Sequence, residues 1–94
     1  MAHLDYPFFN VDQRTKLLVW ERGIIVPGYD PDIYRKDMCG NWMQRTEHGD
    51  EGDYGWEIDH VYPRSLGGLT TLDNLQPLWW RNNRRKGDTF PWFG

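Results

Sequence analysis

Between Gly55 and Asp88 the periodicity of the chain shifts from strand-like to loop-like and then to helix-like, and this run limits the fold more than any other feature. Trp56, Ile58 and Val61 flank the polar residues Glu57, Asp59 and His60, with strand alternation holding as far as Asp59 and breaking at His60. Two adjacent polar side chains face one site only where a strand ends or twists. Pro63 has no N–H for a ladder and Gly67-Gly68 stands in a polar stretch, so Tyr62 to Asp73 reads as a long loop. Leu75 to Leu78 follows as a brief second strand, and Trp79 to Lys86 as a helix that Gly87 stops. The predicted order is strand, long loop, strand, helix.

Upstream, Asp12 is placed to cap a helix from Gln13 to Glu21, with Leu17, Leu18 and Val19 as its apolar face and Gly23 ending it. Ile24 to Val26 is β-branched and stops at Pro27-Gly28, giving either a short strand or an extended connection. Asp30-Pro31-Asp32 has the residues of a helical turn, Met38 to Met43 those of a short extended piece, and Glu47 to Asp53 those of an acidic surface loop. The fold class is α+β: one small domain over residues 1–94, with a helical and extended amino-terminal part.

A chain of 94 residues buries a modest share of its surface, so its core needs reinforcement. One cysteine, Cys39, rules out both an intrachain disulfide and a two-cysteine zinc clamp, leaving the 15 aromatic rings as the expected substitute. The closing TFPWFG segment, residues 89–94, is expected to fold back over the helix as core; exposed, its rings would stack bases or bind a partner. No stretch has the length of a membrane span and the first residues lack a signal-peptide layout, so the expected setting is cytoplasmic. Charge is divided unevenly. Residues 1–59 carry 12 acids and 6 bases, whereas residues 60–94 hold Arg64, Arg81, Arg84, Arg85 and Lys86 against Asp73 and Asp88. The net charge of −3 argues against indiscriminate nucleic-acid binding, but the basic island lies beside the Asp-His pair.

The stretch from Gly55 to Asp88 resembles the HNH (His-Asn-His) endonucleases, whose site is a ββα-metal finger, here at about residues 55–88. His60 stands in the first signature place, Asn74 in the second and Asn83 in the third, where Asn often replaces His. Gly67-Gly68, the run Asn74-Leu75-Gln76-Pro77-Leu78 and the ending Lys86-Gly87-Asp88 agree in order and spacing. A vaguer likeness to compact zinc-free members, through Trp20, Asp30-Pro31, Arg35 to Asp37 and Cys39-Gly40, extends it over roughly residues 20–88.

The resemblance implies a divalent-metal-dependent endonuclease acting on DNA, double-stranded on family grounds, with 5′-phosphate and 3′-hydroxyl products. His60 is suited to accept a proton from water, since an imidazole is largely neutral at pH 7. Asp59 and Asn83 offer hard oxygens that suit one Mg²⁺ or Mn²⁺ better than zinc. Asn82 competes with Asn83, but neighbouring helical residues point about 100° apart, so only one faces Asp59. Asn74, which also suits a turn after Asp73, is expected to pin the loop and orient His60. Lys86, on nearly the same helix face as Asn83, is expected to touch a substrate phosphate, with Arg64, Arg84 and Arg85 as weaker contacts. Glu57 shares a strand face with Asp59 and is expected at the surface; His3 and His48 match nothing in the pattern.

The chain departs from zinc-bearing members in having Trp79 and Asn82 where the later cysteine pair would stand, so it is expected to fold without structural zinc, with aromatic packing holding the helix. Gly87 stands at a further ligand place and leaves about two protein donors for the ion. So small a chain implies low sequence specificity or nicking, and a homodimer would turn nicks into double-strand breaks. The rival readings are a catalytically silent DNA-binding or assembly module and a toxin-type nuclease with an immunity partner.

Overall fold

The computed structural model describes residues 6–94. Asp12 adopts an extended backbone and its carboxylate accepts the Thr15 N–H at 2.7 Å, which starts helix α1 (Gln13–Trp20). The buried face of α1 is Val19 and Trp20, while Leu17 is exposed, so the apolar face lies toward the end of the helix from where it was expected. Ile24 makes a single antiparallel bridge to Lys36, and Ile24 and Ile25 are exposed: the extended-connection reading of this stretch applies. Asp30-Pro31-Asp32 opens a single helical turn: the Asp30 carbonyl accepts the N–H groups of Ile33 and Tyr34 at 2.9 Å, and its side chain caps the turn by accepting the Asp32 N–H at 2.9 Å.

Strands β1 (Tyr34–Lys36) and β2 (Trp42–Gln44) form an antiparallel hairpin whose first strand the sequence did not signal. The second sheet pairs β3 (Trp56–His60) with β4 (Leu75–Trp79), and α2 (Trp80–Lys86) follows β4 directly. This is the predicted strand, loop, strand, helix order, with boundaries within a residue of those expected. Pro77 is tolerated in β4 because it stands opposite Ile58, whose own N–H points away from β4 to the Tyr6 hydroxyl.

Strand alternation sends Trp56 and Ile58 into the main core with Val19, Trp20, Met43, Leu75 and Tyr6. Trp20 and Trp56 are fully buried and their rings meet at 5.4 Å, so truncating either to Ala would cost about 3–5 kcal/mol. The same alternation sends Glu57 and Asp59 to the other face, against α2. The sheet therefore separates an aromatic core from a polar layer.

The carboxy-terminal segment corrects an expectation. Phe93 is 86% exposed and Phe90 about half exposed, its ring meeting that of Tyr62 edge to face at 4.9 Å. The physical reason lies in α2, whose buried residues are Asn82 and Lys86; it has no apolar face for the tail to cover. Aromatic packing is also not the main anchor of α2. Asp37 accepts the N–H groups of Cys39 and Asn41 on one oxygen, and those of Trp79 and the Asn82 amide on the other, at 2.9–3.0 Å. The Trp80 indole adds a bond to the Gly52 carbonyl at 2.7 Å.

Candidate active site

Strand β3 carries the Asp-His pair, and its end is shaped by the loop to β4. Gly67 has φ +100°, and a Cβ at Gly68 would lie 1.8 Å from the Tyr62 carbonyl oxygen, so only glycine lets the loop double back there. Asn74 holds the fold-back closed. Its side-chain oxygen accepts the Tyr62 N–H at 2.9 Å, and its amide nitrogen donates to the carbonyls of Tyr62 at 3.1 Å and Leu69 at 2.8 Å. Its backbone carbonyl takes the Val61 N–H at 2.9 Å, so both ends of the loop meet at this residue.

His60 is nearly buried at the end of β3. Its Nε2 lies 2.8 Å from the Thr70 hydroxyl, and the Phe8 ring covers it at 5.3 Å with an interplanar angle of 32°. Burial, then the positive charges of Arg64 and Lys86, push its pKa below the ordinary histidine value, which keeps the imidazole neutral. Asp59 accepts from Gln76 Nε2 at 2.9 Å and from Lys86 Nζ at 3.1 Å. Burial raises the Asp59 pKa, opposed by those two partners.

Asn83 and Asn82 face different ways, as adjacent helical residues must. Asn82 is 2% exposed with its amide committed to Asp37, Asn41 and Arg85. Asn83 lines the same cleft as Asp59 and His60; its amide nitrogen donates to Glu57 at 2.9 Å, which turns its oxygen away from that partner. The cleft has a volume of about 680 Å³ and is bounded also by Glu57, Arg64, Arg84 and the Tyr6-Pro7 segment.

Two side chains sit elsewhere than expected. Lys86 is 3% exposed: its ammonium is spent on Asp59 and on the His60 carbonyl at 2.9 Å instead of reaching outward to phosphate. Glu57 is 2% exposed instead of lying at the surface, held by Asn83 and by Arg84 at 3.2 Å. Arg84 also pairs with Glu51, Arg64 stands at the cleft, and Arg85 is exposed while bonding Asn82.

Several contributors were missed. Arg81 lies over the rings of Trp79 and Trp80 at 5.8 and 4.9 Å, and Arg84 over Trp80 at 4.8 Å; the Trp-Trp-Arg run beside the basic helix was the available signal. Tyr6 accepts the Ile58 N–H, and its hydroxyl lies at hydrogen-bond distance, 2.9 Å, from His48 Nε2. Half-burial holds His48 down to a pKa of about 4. His48 is therefore a structural partner, which no local pattern reveals; His3 lies outside the described residues.

A β-hairpin whose long loop is pinned over an Asp-His strand end, closed by a helix presenting an asparagine to the same cleft, has the architecture of a ββα finger. The family model for HNH endonuclease matches residues 38–89, more than half of the chain. The chain belongs to the HNH endonuclease family. Nothing among the curated proteins or the solved structures matches it.

Proposed function

We propose that residues 1–94 act as one nuclease domain, a divalent-metal-dependent endonuclease that hydrolyses DNA phosphodiester bonds with low sequence specificity or by nicking. The observation that carries this reading is the convergence of Asp59, His60 and Asn83 on one cleft.

The side chains fit a small hard cation. Each Asp59 oxygen has one protein donor and retains a lone pair, and the Asn83 oxygen is the end of its amide not used on Glu57. Among the described residues no three His, Cys, Asp or Glu side chains are gathered for a metal, so Asp59 and Asn83 would hold Mg²⁺ or Mn²⁺ with water and substrate oxygens completing the shell. When bound, the ion supplies Lewis-acid stabilisation of charge on the phosphate and on the leaving oxygen.

The rest belongs to the chain's own residues. Neutral His60 takes a proton from the water that attacks phosphorus. The bond to the 3′ oxygen breaks, leaving a 5′-phosphate and a 3′-hydroxyl. Arg64 and Arg84 at the cleft, with Arg81 and Arg85 on the exposed side of α2, draw the polyanionic substrate in, and Asn74 holds the loop that shapes the base's surroundings. DNA, double-stranded on family grounds, is the partner this assigns.

One observation favours a second reading. The Lys86 ammonium neutralises Asp59, and if it does so permanently the finger binds DNA without cutting it. Incubation of supercoiled plasmid with Mg²⁺ or Mn²⁺, against a chelator control, separates the two. Metal-dependent nicks that DNA ligase reseals support the nuclease; intact plasmid that is nonetheless bound supports the silent module.

A further inference from the structure

A neutral imidazole accepts a proton through one nitrogen only, so the nitrogen left free decides whether His60 works as a base. In this chain a loop residue stands against one of the two nitrogens. Thr70 Oγ1 lies 2.8 Å from His60 Nε2, while His60 lines the cleft and Thr70 does not. Phe8 covers the ring face, so the imidazole is held by its Nε2 edge and by one side.

Thr70 is itself placed. Asn74 binds the carbonyl of Leu69, the residue immediately before it, and Gly67-Gly68 brings that segment back against Tyr62 and Pro63, with the Gly68 N–H on the Pro63 carbonyl at 2.9 Å. The amide of Asn74 thus reaches His60 through Leu69 and Thr70.

We infer that Thr70 is the positioning residue of the base: its hydroxyl holds the Nε2 edge of His60 and accepts the proton there, which leaves the Nδ1 lone pair free to take a proton from water. The opposite arrangement, with Thr70 donating, would put the imidazole proton on Nδ1 and leave no nitrogen able to take a proton from water. Imidazole's ordinary preference for the proton on Nε2 acts in the same direction as the hydroxyl. The inference rests on the reading of His60 as the base, but the tautomer is observable without any cleavage.

The test uses Thr70→Val, which keeps the side chain's shape and removes its hydrogen bond, and Thr70→Ser, which restores the hydroxyl. Thr70 is exposed, so both variants should fold, and their unfolding midpoints check this. Nitrogen NMR of the His60 ring at neutral pH is expected to show protonated Nε2 and bare Nδ1 in wild type and in Thr70→Ser, and a mixture of tautomers in Thr70→Val. In plasmid nicking, Thr70→Val should lower kcat about 10–100-fold with KM for DNA unchanged, as losing the partner that orients a working imidazole does, and Thr70→Ser should recover most of it. A wild-type ring protonated on Nδ1, or a Thr70→Val protein with unchanged spectrum, overturns the inference. A wild-type protein with the expected spectrum and no cleavage instead refutes the reading of His60 as a base and leaves the Thr70 bond standing.

Discussion

Adjacent asparagines on α2 serve two clusters of opposite character. Asn82 turns into the Asp37 knot, where one carboxylate receives four N–H donors and no ligand capacity is left over. Asn83 turns into the cleft, where Asp59 has only Gln76 and Lys86 as partners and Glu57 has Asn83 and Arg84. Both regions bury acidic side chains, so burial alone does not mark a functional site. Saturation does: the Asp37 carboxylate takes two neutral donors on each oxygen, while each cleft carboxylate has one amide and one cationic side chain as partners, and Asp59 has one donor per oxygen. The knot ties α2, through Trp79 and Asn82, to the turn between β1 and β2.

The largest effect that would sharpen this contrast is on cleavage. Asn83→Ala removes a cleft oxygen and is expected to slow nicking per folded molecule about 10²–10³-fold, while the stability from urea unfolding falls by about 1–2 kcal/mol because buried Glu57 loses its amide donor. Equal loss of stability and activity would break the distinction. Lys86→Met comes next. Leaving Asp59 buried without its counter-ion should lower stability by about 3 kcal/mol in chelator, and Mg²⁺ or Mn²⁺ should restore part of it, since an ion bound only by the folded state stabilises it. Thermal unfolding with and without metal reads this directly; a variant blind to metal would show that Asp59 is not a ligand.

Asn82→Ala is the converse of Asn83→Ala. It strands Asp37 and Asn41 acceptors and should cost about 2 kcal/mol of stability, with nicking per folded molecule preserved. The smallest effect comes from outside both clusters. His48 has a folded pKa of about 4, below its ordinary 6.5, so the unfolded chain binds the extra proton between these values. Stability is full above pH 6.5 and falls as pH drops toward 4, by roughly 1 kcal/mol once solvent screening of a half-exposed ring is allowed for. His48→Gln should flatten that part of the urea-midpoint profile.

The finger was legible because its signals are local. The break in alternation at His60 and the paired glycines follow from backbone geometry within a few residues, and the resemblance to the HNH signature supplied the places of Asn74 and Asn83. Helical spacing correctly put Lys86 on the face of Asn83, but spacing says nothing about what lies opposite, and what lies opposite is Asp59. The same limit hid the burial of Glu57 and the use of Tyr6, Phe8, Thr70 and Asp37, whose partners are distant in sequence or fixed by how the loop doubles back. The tail was misread for a related reason: its aromatic composition suggested core, but α2 offers it a polar buried face.

The most direct measurement of the central claim is nicking of supercoiled plasmid by wild type and His60→Ala, at equal metal and with folding of both confirmed by unfolding curves. The mechanism predicts nicks from wild type that chelation abolishes, and a loss of about 10²–10⁴-fold in His60→Ala. Equal cutting by the two proteins would contradict it.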